Sequence, residues 1–174
     1  MPDIYTELAD QDGDTLENLG PLRGLAGIWE GTRGVDVKPK ADGPRTQAYV
    51  EHDQVGHWLW EPATGAIIHA LSIPRGQVAM ASGTAAADAT SFKLVATRGT
   101  EVYGICSNPF LEFAFQTVEY RIKVTIDPDG TWSYDSDTVM NIRRQSEPFH
   151  HTDRNTLTRI GDPEPNPLAP KPAG

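Results

Sequence analysis

Leu25-Ala26-Gly27-Ile28-Trp29-Glu30-Gly31-Thr32-Arg33-Gly34, residues 25–34, is the stretch that decides the fold. It sets Trp29, the first of four tryptophans, between Gly27 and Gly31 at the start of what reads as the first strand, Leu25 to Val37. A glycine on each side of a large ring predicts a strand that bends sharply, or one that another backbone approaches closely. A small antiparallel barrel needs such a strand, because the chain must plug one end with a bulky ring and still turn a corner.

Working outward, the chain of 174 residues is one domain's worth of sequence, long enough to bury a core. A net charge of −9 and a pI near 4.9, with no basic stripe, exclude a general nucleic-acid binder. One cysteine, Cys106, excludes an internal disulfide framework and suits a reducing cytoplasm. The first twenty residues are acidic and polar, unlike a signal peptide, and no run is apolar enough to span a membrane. The expectation is a cytoplasmic protein with neither nucleic-acid nor membrane partners.

The organisation divides into a polar lead-in over 1–21, a β-domain over 22–160 and a proline-rich, disordered tail over 161–174. Within the lead-in, Asp14 or Thr15 caps a short helical turn that Gly20-Pro21 stops. After a turn-rich break at 38–44 and an alternating segment at 45–51, Val55–Trp60 places Trp58 and Trp60 on one face. Pro62–Gly65 is a hairpin turn, and Ala66–Ile73 puts Ile67, His69, Leu71 and Ile73 on a single face. Strands follow at 77–82, 92–96 and 102–106, and Ser107-Asn108-Pro109 opens a short helix, a strand or a packed loop. Thr117–Ile126 and Thr131–Ile142 flank Asp127-Pro128-Asp129-Gly130, a strong hairpin signal, and the last strand runs Pro148–Ile160. Roughly eight to ten short strands with almost no helix predict an all-β fold, an up-and-down barrel or a sandwich.

No nucleophile elbow, phosphate loop or zinc-ligand spacing occurs, and no pair of carboxylates stands out for acid–base work. Of the five histidines, His69 shares a face with isoleucine and leucine and so points into the barrel. It reads either as a neutral core residue with one hydrogen bond or as a polar handle over a ligand in an apolar cavity. Adjacent strand residues point opposite ways, so one of His150 and His151 faces inward. Trp29, Trp58, Trp60, Ile67 and Leu71 are the candidate pocket wall; the tryptophans serve equally well as core plugs. Cys106 reads as a buried, inert thiol and Arg143-Arg144 as solvated.

Three patches carry a family resemblance: Leu25–Gly31, Ala63–Ala70 and Glu147–Arg159. They resemble the opening strand, the histidine-bearing hairpin and the closing strand of the nitrobindins. These intracellular antiparallel barrels of about ten strands are similar in shape to fatty-acid-binding proteins and lipocalins. The resemblance implies a pocket that holds haem b through a histidine on the last strand, with His69 on the distal side. It also implies that ferric haem would bind nitric oxide and isomerise peroxynitrite. Two departures accompany it. The iron-ligating position falls on Thr152, which cannot replace an imidazole, with His150 and His151 just before it. The family also usually carries about two more strands where Val50–Asp53 makes an almost direct join, and their absence leaves open sheet edges.

The leading expectation is therefore a non-enzymatic barrel for a small hydrophobic ligand, with His69, His150, His151 and Thr152 as candidate cofactor-binding positions. The alternatives are a haem-dependent peroxynitrite isomerase or nitric-oxide-binding protein, and a fatty-acid carrier anchored by Arg121 or Arg143. A homodimer is compatible with each.

Overall fold

The computed structural model describes residues 15–37 and 54–164. Alternation of apolar and polar side chains builds most of it. In β6 (Ser91–Arg98), Phe92, Leu94 and Ala96 are buried while Ser91, Lys93, Val95 and Thr97 are exposed. The same pattern runs through β8 (Phe115–Ile126), where Ile122 and Val124 point into the core between exposed Arg121 and Lys123. Burying each such side chain stabilises the fold by about 1.5–3 kcal/mol, so the inward face of the sheet is fixed by these rows.

Ten strands are described. The others are β1 (Ile28–Glu30), β2 (Val35–Val37), β3 (Val55–Glu61), β4 (Ala66–Ile73), β5 (Gln77–Thr84), β7 (Gly104–Ser107), β9 (Trp132–Ile142) and β10 (Phe149–Gly161). They form one curled, barrel-like sheet in the order β1-β10-β9-β8-β6-β7-β5-β4-β3, with β2 also on β10. Neighbours are antiparallel except β7, which runs parallel to β6 and takes over its pairing with β5. Among the described residues β3 is one edge of the sheet and β1 the other. Residues 38–53 lie outside the described residues, and with them the alternating segment expected at 45–51 and the join expected at Val50–Asp53.

The first strand is not continuous over Leu25–Val37. Leu25 ends a 3-10 helix, Glu17–Leu25, which is broken at Gly20 and buries Pro21 and Leu22 against the sheet. The strand itself splits into β1 and β2 around residues 31–34. Both glycines beside Trp29 have a steric reason. Gly27 has φ +127°, and a Cβ there would lie 2.5 Å from the Arg159 guanidinium; a Cβ on Gly31 would collide with the Asn155 amide. Arg159 lies 4.3 Å from the Trp29 ring centroid and donates to the Ala26 carbonyl at 2.6 Å. Trp29 Nε1 donates to the Leu25 carbonyl at 2.9 Å and the ring meets Trp132 edge-on. The first and last strands are thus locked across one end of the sheet.

Turn chemistry fixes the register elsewhere. Between β3 and β4, the Glu61 carboxylate accepts from the Thr64 hydroxyl and from the Ala63 and Thr64 amides. The Thr64 hydroxyl does most to hold that carboxyl below its usual range, and the two amides add to it. After β7, Asn108 Oδ1 caps helix α1 (Pro109–Ala114) by accepting from Leu111 N at 2.9 Å, so the Asn-Pro pair opens a helix. Tyr103 adopts a positive φ of 57°, and the strand expected from Val102 begins only at Gly104. No helix among the described residues is long and apolar enough to cross a membrane.

Candidate functional site on the concave face

Strand parity selects the concave side chains. On β3 and β4 these are Trp58, Trp60, Ile67, His69 and Leu71, as the sequence pattern predicts. Ile67 and Leu71 are buried in the core cluster, and both tryptophans pack against it. Trp60 donates through Nε1 to the Ala85 carbonyl at 3.3 Å and covers Gly20 of the 3-10 helix, so it plugs the core.

His69 is 3% exposed. Its imidazole stacks on the Trp58 indole, with centroids 4.0 Å apart and planes 5° from parallel, and Phe92 meets the same indole edge-on. Room for the ring comes from small neighbours. Ala81 pairs with His69 across β4 and β5, and a Cβ on Gly56 would lie 2.9 Å from His69 Nε2. His69 Nδ1 is buried with no hydrogen-bond partner, unlike the singly bonded core histidine that is the commoner arrangement. Burial pushes the imidazole pKa down to about 4, so the ring is neutral at physiological pH.

On β10 the less exposed side chains alternate, with His151, Asp153, Asn155, Leu157 and Arg159 on the concave side. His151 is the closing-strand imidazole that points inward, and its Nε2 hydrogen-bonds Asp36 Oδ1 of β2 at 2.7 Å. Asp153 Oδ2 accepts from the Tyr134 hydroxyl at 2.8 Å, and Ser136 Oγ donates to the Asp153 carbonyl. Burial first, and Asp153 second, push the Tyr120 phenol up; Tyr134 rises for the same first reason, so both hydroxyls stay protonated. The concave face is therefore apolar from β3 to β6 and polar where β9, β10 and β2 meet.

His150 points the other way, exposed, with its Nδ1–H on Asp137 at 2.8 Å. Thr152 alternates with the concave residues and lies opposite Val37 and Asp137 in the ladder. Trp29 sits at the locked end of the sheet under Arg159. Arg121 is exposed and paired with Glu119 and Asp137, and Arg143 is exposed over the Phe113 ring. Arg159 is committed to Trp29 and Ala26, so the concave face offers a carboxylate ligand no unengaged arginine among the described residues. Cys106 is exposed rather than buried, because it occupies the outward position of β7 opposite Val78. Among the described residues no cluster of three or more His, Cys, Asp or Glu is placed to hold a metal ion.

The family model for the THAP4-like, heme-binding beta-barrel domain matches residues 40–159. The chain belongs to this family. The match covers well over half of the sequence and includes β3 to β9 and nearly all of β10. The haem-binding barrel family thus accounts for the nitrobindin resemblance and for an all-β barrel-like sheet built to bind a small molecule. No curated protein matches the chain.

The residues that sequence reasoning missed on this family's barrel are Asp36, Tyr120, Tyr134 and Asp153. Period-2 parity along Phe149–Gly161 was a usable signal for Asp153, since it shares a face with His151. Asp36 had none, because its contact with His151 spans 115 residues.

Proposed function

We propose that the chain is a binding barrel whose concave face takes a flat, largely apolar ligand, and that haem is the ligand class its imidazoles suit. The observation that carries this reading is His69. A buried ring nitrogen without a hydrogen bond costs about 1–3 kcal/mol, and here it is retained on the concave wall between Trp58 and Gly56.

The donor chemistry fits the group. Imidazole is an axial ligand for haem iron, whereas a threonine hydroxyl at position 152 is not. His151 is the closing-strand imidazole on the concave side, and Asp36 sits against its Nε2 as carboxylates sit against the outer nitrogen of metal-bound histidines, fixing the ring's orientation. In this reading His151 would hold the iron, Asp36 would orient His151, and neutral His69 would supply a polar contact on the apolar wall. Bound haem would supply ferric iron able to take a small diatomic or oxidant ligand. The barrel's own part is to orient the macrocycle and exclude water.

Native mass spectrometry after mixing the purified protein with hemin tests the reading. A single-haem adduct is the expected result; an unshifted protein mass refutes it.

A further inference from the structure

One end of the sheet carries an apolar surface that nothing among the described residues covers. None of the six residues of α1 is buried, and Phe110 and Phe113 are 64% and 61% exposed. Val102, in the loop between β6 and β7, is 67% exposed. This loop lies near α1, because Arg98 at the end of β6 forms an ion pair with Glu112 of the helix at 2.6 Å. Long apolar side chains usually turn toward a core, and single exposed ones need no explanation. Three at one end of the sheet, two of them aromatic on one turn of helix, form a patch.

Arginines lie on the neighbouring segments. Arg143 follows directly on the helix, since its amide donates to the Ala114 carbonyl at 3.1 Å, and its guanidinium lies 4.0 Å from the Phe113 ring centroid. Arg144 is exposed with φ 72°, a left-handed conformation that non-glycine residues adopt rarely, so two successive arginines leave the end of β9 at this rim. Arg75 comes alongside, because Asn108 Nδ2 donates to its carbonyl at 2.7 Å. Glu112 neutralises Arg98, which leaves three arginines at this rim; the same loops carry the exposed acids Glu101 and Glu147, on a chain whose net charge is −9.

We propose that this rim docks on an anionic lipid surface, with Phe110 and Phe113 entering the interfacial layer and Arg143, Arg144 and Arg75 engaging headgroup phosphates. Aromatic rings backed by arginine stems suit that layer, where one end of a side chain is dry and the other wet. The acidic remainder of the protein does not prevent contact. At physiological ionic strength a charge is felt over only about 8 Å, so the surface reads the rim and not the net charge. The inference does not depend on the identity of the barrel's ligand.

Vesicle co-sedimentation of the full chain tests it. The protein is expected to pellet with phosphatidylglycerol-containing vesicles, much less with phosphatidylcholine alone, and to be released by high salt. Phe110→Ser with Phe113→Ser should weaken partitioning by at least about ten-fold, and Arg143→Gln with Arg144→Gln by about five-fold per arginine. Both pairs are exposed, and circular dichroism checks that the fold is retained; Arg144→Gln alone is the milder second variant. Failure of the wild-type chain to pellet with anionic vesicles overturns the proposal. So does unchanged binding by the phenylalanine pair, or a concentration-dependent dimer that the same pair abolishes, which would make the rim a contact between copies.

Discussion

The imidazole of His69 and the indole of Trp58 lie face to face across the β3–β4 ladder, 4.0 Å apart, on Cα positions paired directly by register. The stack sets the character of the apolar wall. It removes one face of the imidazole from water, keeps the ring neutral and leaves Nδ1 without a partner.

That burial has a pH signature. The folded-state pKa of about 4 lies below the unfolded value near 6.5, so the unfolded chain binds the proton more readily between them. The contribution of His69 is fully present above pH 6.5 and is lost as pH falls through 4, by an amount on the order of 3 kcal/mol. Urea melts at stepped pH should show His69→Leu losing less stability than wild type between pH 6.5 and 4. Equal slopes would contradict the buried, neutral imidazole.

Gly56 is the second half of the His69 niche. A Cβ there lies 2.9 Å from both His69 Nε2 and the Ala70 carbonyl oxygen. Only the imidazole can move aside, so Gly56→Ala should destabilise by about 1–3 kcal/mol through overpacking. In the double variant with His69→Ala part of that loss should return, the contact with the Ala70 carbonyl remaining. A thermal-melt double-mutant cycle reads the coupling.

The lock between Arg159 and Trp29 joins the two ends of the chain. Arg159→Met removes a charge-assisted hydrogen bond to Ala26 and the cation over the indole, and about 2–4 kcal/mol of stability should go with them. Arg159→Lys keeps the charge but not the planar fork and should recover only part. Denaturant melts measure both.

Asp36 is asked to orient His151. Asp36→Ala should weaken hemin binding by about ten- to a hundred-fold while leaving the fold intact, the usual effect of losing an outer-shell carboxylate. Hemin titration beside a thermal melt separates the two effects.

Much of the sheet was legible in the chain. Residues such as Phe92, Leu94 and Ala96, or Ile67, His69 and Leu71, declare their face by alternation, and Asp127–Gly130 declares its turn. The two glycines around Trp29 announced the approach of another backbone; the Gly161 carbonyl does come close to Gly27, but the Arg159 guanidinium and, at Gly31, the Asn155 amide fill the space. Arg159 and Asn155 come from the far end of the chain, and such contacts leave no local trace. For the same reason the split of Leu25–Val37 into two short strands and the parallel wedge of β7 escaped the pattern. In the site, parity established that His150 and His151 diverge. Only the packing of β10 on β2 and β9 decided that His151 faces in toward Asp36, while His150 and Thr152 face Asp137.

The most direct measurement is a hemin titration followed in the Soret region, comparing wild type with His151→Ala and His150→Ala. A saturable Soret shift in wild type and His150→Ala, abolished in His151→Ala, is the predicted result. A shift that survives in His151→Ala, or no shift in wild type, would contradict haem held by the concave imidazole of the closing strand.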